Sequence, residues 1–345
     1  MPLILTNFRS LRPPHLLSQE AILDWIAKAH THAAKESSLY PVLREKLLRL
    51  GAGPGKIEER GVTMTDCLHE NWDEMTTQSG SFAKRMQFYD QAVTAIFDTF
   101  YEETSLPAHL VHVTCTGYVS PSGAQKVVSK KEAKTAVTHA YHMGCYAALP
   151  AIRMVQGLQG SVDIVHTELC ALHMDPTTHD TEQLVVQALF ADGFIKYSVA
   201  SEGPGLEVVL LQEEIIPGSS WAMSWGCEDW GLKMRVAKEV PVLIARALPS
   251  FLEKLSLDPE RALFAIHPGG PKIIDQVAKI LNLQAWQTEH SRAILKSCGN
   301  MSSATLPHIW ESMLKDPKVQ HGTPILSLAF GPGLTLSGGV FVCRR

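Results

Sequence analysis

Short apolar runs alternate with stretches of helical spacing along the whole of this 345-residue chain, which restricts it to an α/β or mixed layered fold. Helical spacing covers 21–33, 41–50, about 81–103, 147–155, 181–191, 240–255, 273–281 and 302–314. Strand-like runs fall at 1–6, 109–114, 138–143, 194–200, 206–216, 263–266, 325–329 and 339–343. The loop 115–123 is rich in breakers, and Ser201-Glu-Gly-Pro-Gly205 is the clearest punctuation. The division is therefore placed there, giving halves 1–202 and 203–345. A chain of this length buries a full core in two domains, or in two halves of one large unit.

Composition removes several function classes. With 45% hydrophobic and 19% charged residues and a net charge of −4, the chain has no basic footprint for nucleic acid. Its apolar stretches fall short of the ~20 residues a membrane helix needs. Met1-Pro-Leu-Ile-Leu-Thr6 lacks the apolar core and cleavage pattern of a signal peptide and reads as a first strand. The seven cysteines are scattered without a Cys-x-x-Cys pair, which argues against a disulfide framework and against a zinc site. A reducing cytoplasm is the expected location.

Three small-residue turns carry the chemistry. Cys145 lies in His142-Met-Gly-Cys-Tyr-Ala-Ala-Leu-Pro150, between a strand and a helix, where the helix dipole favours thiolate. His267 follows an apolar strand and precedes Pro-Gly-Gly-Pro271. Glycines 269 and 270 let the backbone approach a ligand closely. Asn300 precedes Met-Ser-Ser-Ala304, a helix start, so capping is its simplest role. Cysteine, histidine and asparagine together suit thioester chemistry: the thiol carries an acyl group, while the other two hold charge developing on a thioester oxygen. Cys67, Cys115, Cys170, Cys227, Cys298 and Cys343 have weaker contexts and read as small buried hydrophobes.

Six stretches in order make the chain recognisable: Gly144-Cys-Tyr-Ala147, Gln187-Ala-Leu-Phe-Ala-Asp-Gly193, Lys238-Glu-Val-Pro241, His267-Pro-Gly-Gly-Pro271, Gly299-Asn-Met-Ser-Ser-Ala304 and Phe330-Gly-Pro-Gly-Leu-Thr335. The chain resembles the type III polyketide synthases, the chalcone synthase-like family within the thiolase-fold condensing enzymes. The Pro-Gly-Gly after the histidine and the Gly-Pro-Gly-Leu-Thr run separate it from ketoacyl synthase III relatives. Thiolases proper, with a second catalytic cysteine, fit less well.

The resemblance implies a thiolase-like duplicated αβαβα sandwich acting as a homodimer, with Cys145, His267 and Asn300 as catalytic residues. It implies no metal or redox cofactor. Substrates would arrive as thioesters of coenzyme A or of a carrier-protein phosphopantetheine. Phe190 matches one aromatic gatekeeper and Met234 falls at the second, a departure from the pattern. His173 lies near a cavity position that is usually small and polar, adding a proton donor or narrowing the pocket; Trp221, Trp225 and Trp230 crowd the same region. Ser302, Gly269 and Gly270 belong to the substrate-binding set, and Ser120 to the loop that reaches the partner's cavity. Lys46 and Arg49 match basic residues that hold coenzyme A phosphates, while the next expected basic position falls near Gly53. The expected function is a polyketide synthase condensing an acyl starter with malonyl-type units into a pyrone or resorcinol. The alternative joins two carrier-bound β-ketoacyl chains into an α-pyrone.

Overall fold

The computed structural model describes residues 2–72, 75 and 80–345. Its centre is a nine-stranded sheet. The first half supplies β1 (Ile4–Leu11), β4 (His109–Thr114), β5 (Ala136–Tyr141), β6 (Val162–Leu169) and β7 (Asp192–Ala200). The second supplies β8 (Gly205–Ile215), β11 (Leu263–Ile266), β12 (Pro324–Gly331) and β13 (Thr335–Arg344). Their order is β11-β12-β13-β8-β1-β7-β6-β4-β5. Two small two-stranded sheets, β2 (His15–Ser18) with β3 (Glu59–Val62) and β9 (Met223–Cys227) with β10 (Leu232–Val236), stand outside it.

One pairing pattern occurs twice. β4 runs parallel to β6, β6 antiparallel to β7 and β7 antiparallel to β1. Likewise β11 runs parallel to β12, β12 antiparallel to β13 and β13 antiparallel to β8. The halves join where β1 pairs with β8 through Ile4 and Leu5. β5 is an extra strand beside β4, at the sheet's end.

Side-chain alternation turns this sheet into layers. Val111, Val113 and Ile164 from the first half, with Leu263, Ala265, Ile325 and Ala329 from the second, enter one cluster with α5 (Ala148–Val155) and α10 (Thr305–Lys315). The intervening residues Leu110 and Val165 face α3 (Phe82–Phe100) and α4 (Gly123–Lys130). Phe264, Ile266, Leu326 and Leu328 face a third cluster. That cluster holds α1 (Gln19–Ala34), α2 (Leu39–Leu47), α6 (Thr181–Leu189), α7 (Val240–Glu253), α8 (Pro271–Ile280) and α9 (Glu289–Cys298). α5 and α10 thus lie in the apolar layer that the two halves share, each just after one of the turns singled out above.

Candidate active site

Cys145 occupies a 3-10 turn, Gly144–Tyr146, between β5 and α5. Pro150, in the first turn of α5, costs no hydrogen bond there. Two glycines fix this turn. Gly144 has φ +75, and a Cβ on it would lie 2.5 Å from Cδ of Pro332. A Cβ on Gly331 would lie 2.2 Å from the Tyr146 ring. The Gly-Pro-Gly run after β12 is therefore a wall against which the cysteine turn seats. His142, two residues before Gly144, also takes a left-handed φ of 59, an uncommon conformation for a non-glycine residue.

Asn300 is held by backbone on both sides. Its N–H donates to Leu189 O at 2.9 Å, and its carbonyl accepts from Ala191 N at 2.8 Å. Its side-chain Oδ1 accepts the Ser302 N–H at 2.9 Å, a turn-capping bond of the kind expected from the sequence. The Nδ2 end, buried, has no hydrogen-bond partner among the described residues. The cap thus fixes the amide and leaves its donor free. Ser302 Oγ reaches Cys145 Sγ at 3.7 Å. Burial pushes the Cys145 thiol up to about 12, against opposing help from Ser302 and the nearby Asn300 amide.

His267 is the first residue after β11, and its N–H donates to Leu328 O at 2.7 Å. The ring is buried, and neither nitrogen has a partner among the described residues. Burial alone lowers its pKa to about 3, so the resting imidazole is neutral. Gly269 and Gly270 are not forced by the fold: neither has a left-handed φ, and an added Cβ would meet its nearest neighbours only at 3.6 and 3.4 Å. Gly270 approaches Leu189, the residue whose carbonyl holds Asn300, so the histidine and asparagine loops close on one helix end.

Beside Cys145 opens a mainly apolar cavity of about 60 Å³. Phe190 and Met234 line it, as do Ser302, His173 and Trp225. Met234 is on strand β10, not in a helix core, and its buried thioether is a pliable wall. His173 fits the second of its two readings. Its Nε2 is bonded to Thr116 O at 2.7 Å and its Nδ1 accepts the Leu232 N–H at 3.1 Å. With both nitrogens engaged, it narrows the pocket and is not a spare proton donor. Trp225 donates its indole N–H to Cys115 O, whereas Trp221 is exposed and Trp230 receives the Arg85 guanidinium over its ring at 5.3 Å. Ser120 is exposed on its loop, preceding a cis peptide bond to Pro121, and it does not line this cavity; nor do Gly269, Gly270, His267 and Asn300.

The basic pair on and after α2 is partly engaged. Lys46 Nζ points to His179 O at 3.5 Å, and Arg49, on the π-turn Leu48–Ala52, lies 3.6 Å from Glu45.

Cys115, read from the sequence as a small buried hydrophobe, lines the cavity. Its Sγ lies 2.8 Å from Ser302 Oγ and 3.4 Å from Glu168 Oε1. Fully buried Glu168 accepts further bonds from Ser303 Oγ, from Thr116 Oγ1 at 2.8 Å and from the Cys115 N–H at 3.0 Å. Burial raises its pKa against those donors. A second thiol therefore touches Ser302, the serine that touches Cys145, and the Glu168 carboxyl group touches that second thiol. Cys67 and Cys170 also line the cavity. Four cysteines far apart in sequence gave no spacing signal, and β6, which carries Glu168, has no clean apolar run. Among the described residues no group of three or more His, Cys, Asp or Glu is arranged to hold a metal ion, and no helix is long and apolar enough to cross a membrane.

Comparison with known proteins agrees with the resemblance read from the sequence. Residues 207–344 match the family of chalcone and stilbene synthases, C-terminal domain. The chain is 29% identical over 254 residues to "Probable polyketide synthase 1" of Dictyostelium discoideum; the match covers 67% of this chain and 8% of that protein. The fold is that of the C-terminal type III polyketide synthase domain of Steely1, a type I/III hybrid from Dictyostelium, with a TM-score of 0.87, 21% identity and full coverage of both chains. It is also that of PKS-I from the brown alga Ectocarpus siliculosus, with a TM-score of 0.84 and 20% identity over 99% of this chain and 98% of the other.

Proposed function

We propose that this chain, whose residues 207–344 match the family of chalcone and stilbene synthases, C-terminal domain, is a type III polyketide synthase-like condensing enzyme, an acyltransferase working through Cys145, His267 and Asn300. The observation that carries the reading is a buried thiol at one cavity wall, beside an asparagine amide, in a fold that also buries a histidine whose ring nitrogens have no partner among the described residues. Buried donors and acceptors left unpaired are costly, and a reacting thioester would satisfy them.

The Cys145 Sγ–H passes its proton to neutral His267 as sulfur attacks the carbonyl of an acyl thioester. The carrier thiol leaves and takes that proton back, so the acyl group is now on sulfur. A malonyl-type thioester then loses carbon dioxide. Its enolate oxygen accepts hydrogen bonds from His267 and from Asn300 Nδ2, each able to contribute ~3 kcal/mol to the transition state. The enolate carbon attacks the Cys145-bound carbonyl, a carbon–carbon bond forms, the carbon–sulfur bond breaks, and the departing sulfur takes up a proton from solvent to restore the thiol. None of these steps draws on a metal or a redox group. In this reading residues 1–202 bring the nucleophile and 203–345 its two partners. The protein works in the cytoplasm as a homodimer, for which the open outer edge of β5 and the exposed Ser120 loop are suitable surfaces.

The product we propose is a pyrone or resorcinol. A second reading, condensation of two carrier-bound β-ketoacyl chains into an α-pyrone, draws support from the partly engaged Lys46 and Arg49, which leave coenzyme A phosphates a weaker anchor. Assay of the purified protein with malonyl-coenzyme A and free acyl starters separates the two. Extension products favour the first; turnover only with carrier-bound chains favours the second. Cys145→Ala is expected to abolish acyl loading by intact mass, and loading that survives it overturns both.

A further inference from the structure

Arg60, on β3, is 98% buried by its 2% exposure and lines the same cavity as Cys145. Its Nη1 donates to Gln187 O and Phe190 O, both at 2.7 Å, and so clasps the C-terminal end of α6 where Phe190 begins. Its stem rests on Gly299, where a Cβ would come within 3.0 Å of Arg60 Cγ. Gly299 precedes Asn300, and Asn300 is bridged to Phe190. The guanidinium is thus built into the frame of the site, one residue from the amide that faces the nucleophile.

The other edge of that guanidinium is empty. Nε and Nη2 are buried and have no hydrogen-bond partner among the described residues. These two N–H groups point the same way as a fork, a shape that matches an oxygen with two lone pairs or a carboxylate. Burial lowers the Arg60 pKa to about 10 against the opposing pull of nearby groups, among them Asp192, itself held by the Thr63 and Ala171 N–H groups. What the fork lacks among the described residues is hydrogen-bond acceptors. Ile22, Trp25, Ile26, Val62 and Met174 also wall the cavity, and among the described residues that line it no other Arg or Lys is present.

We propose that the Nε/Nη2 edge of Arg60 binds the 3-oxo oxygen of a β-ketoacyl thioester, making the cavity selective for oxygenated over plain acyl chains. The inference rests on the reading of Cys145 as the acyl acceptor and names the substrate class of that site. The same fork chemistry would also fit the carboxylate of a malonyl extender, and the experiment separates the two.

The test measures acylation of Cys145 by intact mass, using octanoyl and 3-oxooctanoyl N-acetylcysteamine thioesters. Rates are divided by those of the same thioesters with free 2-mercaptoethanol, which removes their intrinsic difference in electrophilicity. The wild type is expected to favour the 3-oxo thioester by at least about tenfold, since a buried donor left unpaired by the plain chain discriminates against it. Arg60→Met is expected to erase that preference by lowering 3-oxooctanoyl loading at least about tenfold more than octanoyl loading. Equal loading of both thioesters by the wild type overturns the proposal, and this arm needs no variant. So does a folded Arg60→Met protein that loses both rates equally, because that marks a structural clasp only. A variant that keeps the 3-oxo preference and loses malonyl thioester decarboxylation gives the fork to the extender and also overturns it. Failure of the wild type to load either thioester refutes instead the role given to Cys145.

Discussion

At the scale of single residues, the site presents a thiol pushed up to about 12 and an imidazole brought down to about 3, both by burial. Taken apart, neither group titrates between pH 6 and 9, and a lone thiol of that kind gains thiolate about tenfold per pH unit. If sulfur instead hands its proton to His267 in the reaction, the reactive form is the neutral pair, whose population is constant over that window. Acyl loading of the wild type is therefore expected to be flat from pH 6 to 9. In His267→Ala it should fall by ~10²–10⁴ at pH 7 and acquire a slope near one in log rate against pH. A wild-type profile that already rises tenfold per unit would mean that His267 takes no proton. Alkylation can report the same quantity provided it is read site by site, because Cys227 is exposed and will also react.

At the scale of elements, the position of Cys145 depends on two stretches that meet without a hydrogen-bonded ladder: the 3-10 turn before α5 and the turn after β12. Gly144→Ala combines a left-handed φ, costing ~1–2 kcal/mol, with a clash against a proline ring that cannot swing away. Overpacking of that kind costs a further ~1–3 kcal/mol. A displaced sulfur can lose ~10² in rate. Gly157→Ala is the control. Its φ is +85 but nothing lies within 4 Å, so it should lose ~1–2 kcal/mol at most with loading unchanged. Urea midpoints and loading rates check both, and equal behaviour of the two variants would remove the wall's role. The motif residues here were legible in the sequence, although what they touch was not. Strands read at 109–114 and 263–266 are β4 and β11 residue for residue, and most helices end within a few residues of expectation. β6 was missed because Asp163, His166, Thr167 and Glu168 interrupt its apolar run although all are buried. α9 was missed too: among Glu289–Cys298 only Ser291 and Leu295 are buried, too few for a visible apolar stripe. Cys115 and Glu168 became visible as a pair only when β4 and β6 came side by side. The sequence predicts which residues bear chemistry where a turn motif frames them, and is silent where partners meet across a sheet.

At the scale of the whole molecule, the polar interior has a consequence for acid stability. His30, His166, His173 and His267 are held at about 4, 3, 3 and 3, and His112 well below its usual 6.5, in each case chiefly by burial. They serve different parts of the fold, from α1 and α6 to the β4–β6 pairing and the active-site wall, so the effect belongs to no single element. In every case the folded pKa lies below the unfolded value. The stability each contributes is therefore fully present above pH 6.5 and is lost as pH falls toward the folded pKa, because the unfolded chain takes up protons the folded one refuses. Each such histidine gives a limiting slope of roughly 1.4 kcal/mol per pH unit below 6.5. Even two or three acting together would take several kcal/mol between pH 6.5 and 5, a large part of the ~5–15 kcal/mol that holds a typical domain folded. The urea midpoint is expected to be level from pH 8 to 7 and to fall steeply below 6.5. His166→Gln should make that fall shallower, even if it lowers the plateau by costing the bonds to Ser303 Oγ at 3.1 Å and Tyr197 OH at 3.2 Å. A midpoint that holds level down to pH 5 would mean that these rings gain protons inside the fold as readily as outside, and the neutral His267 on which the proposed proton transfer depends would lose its support.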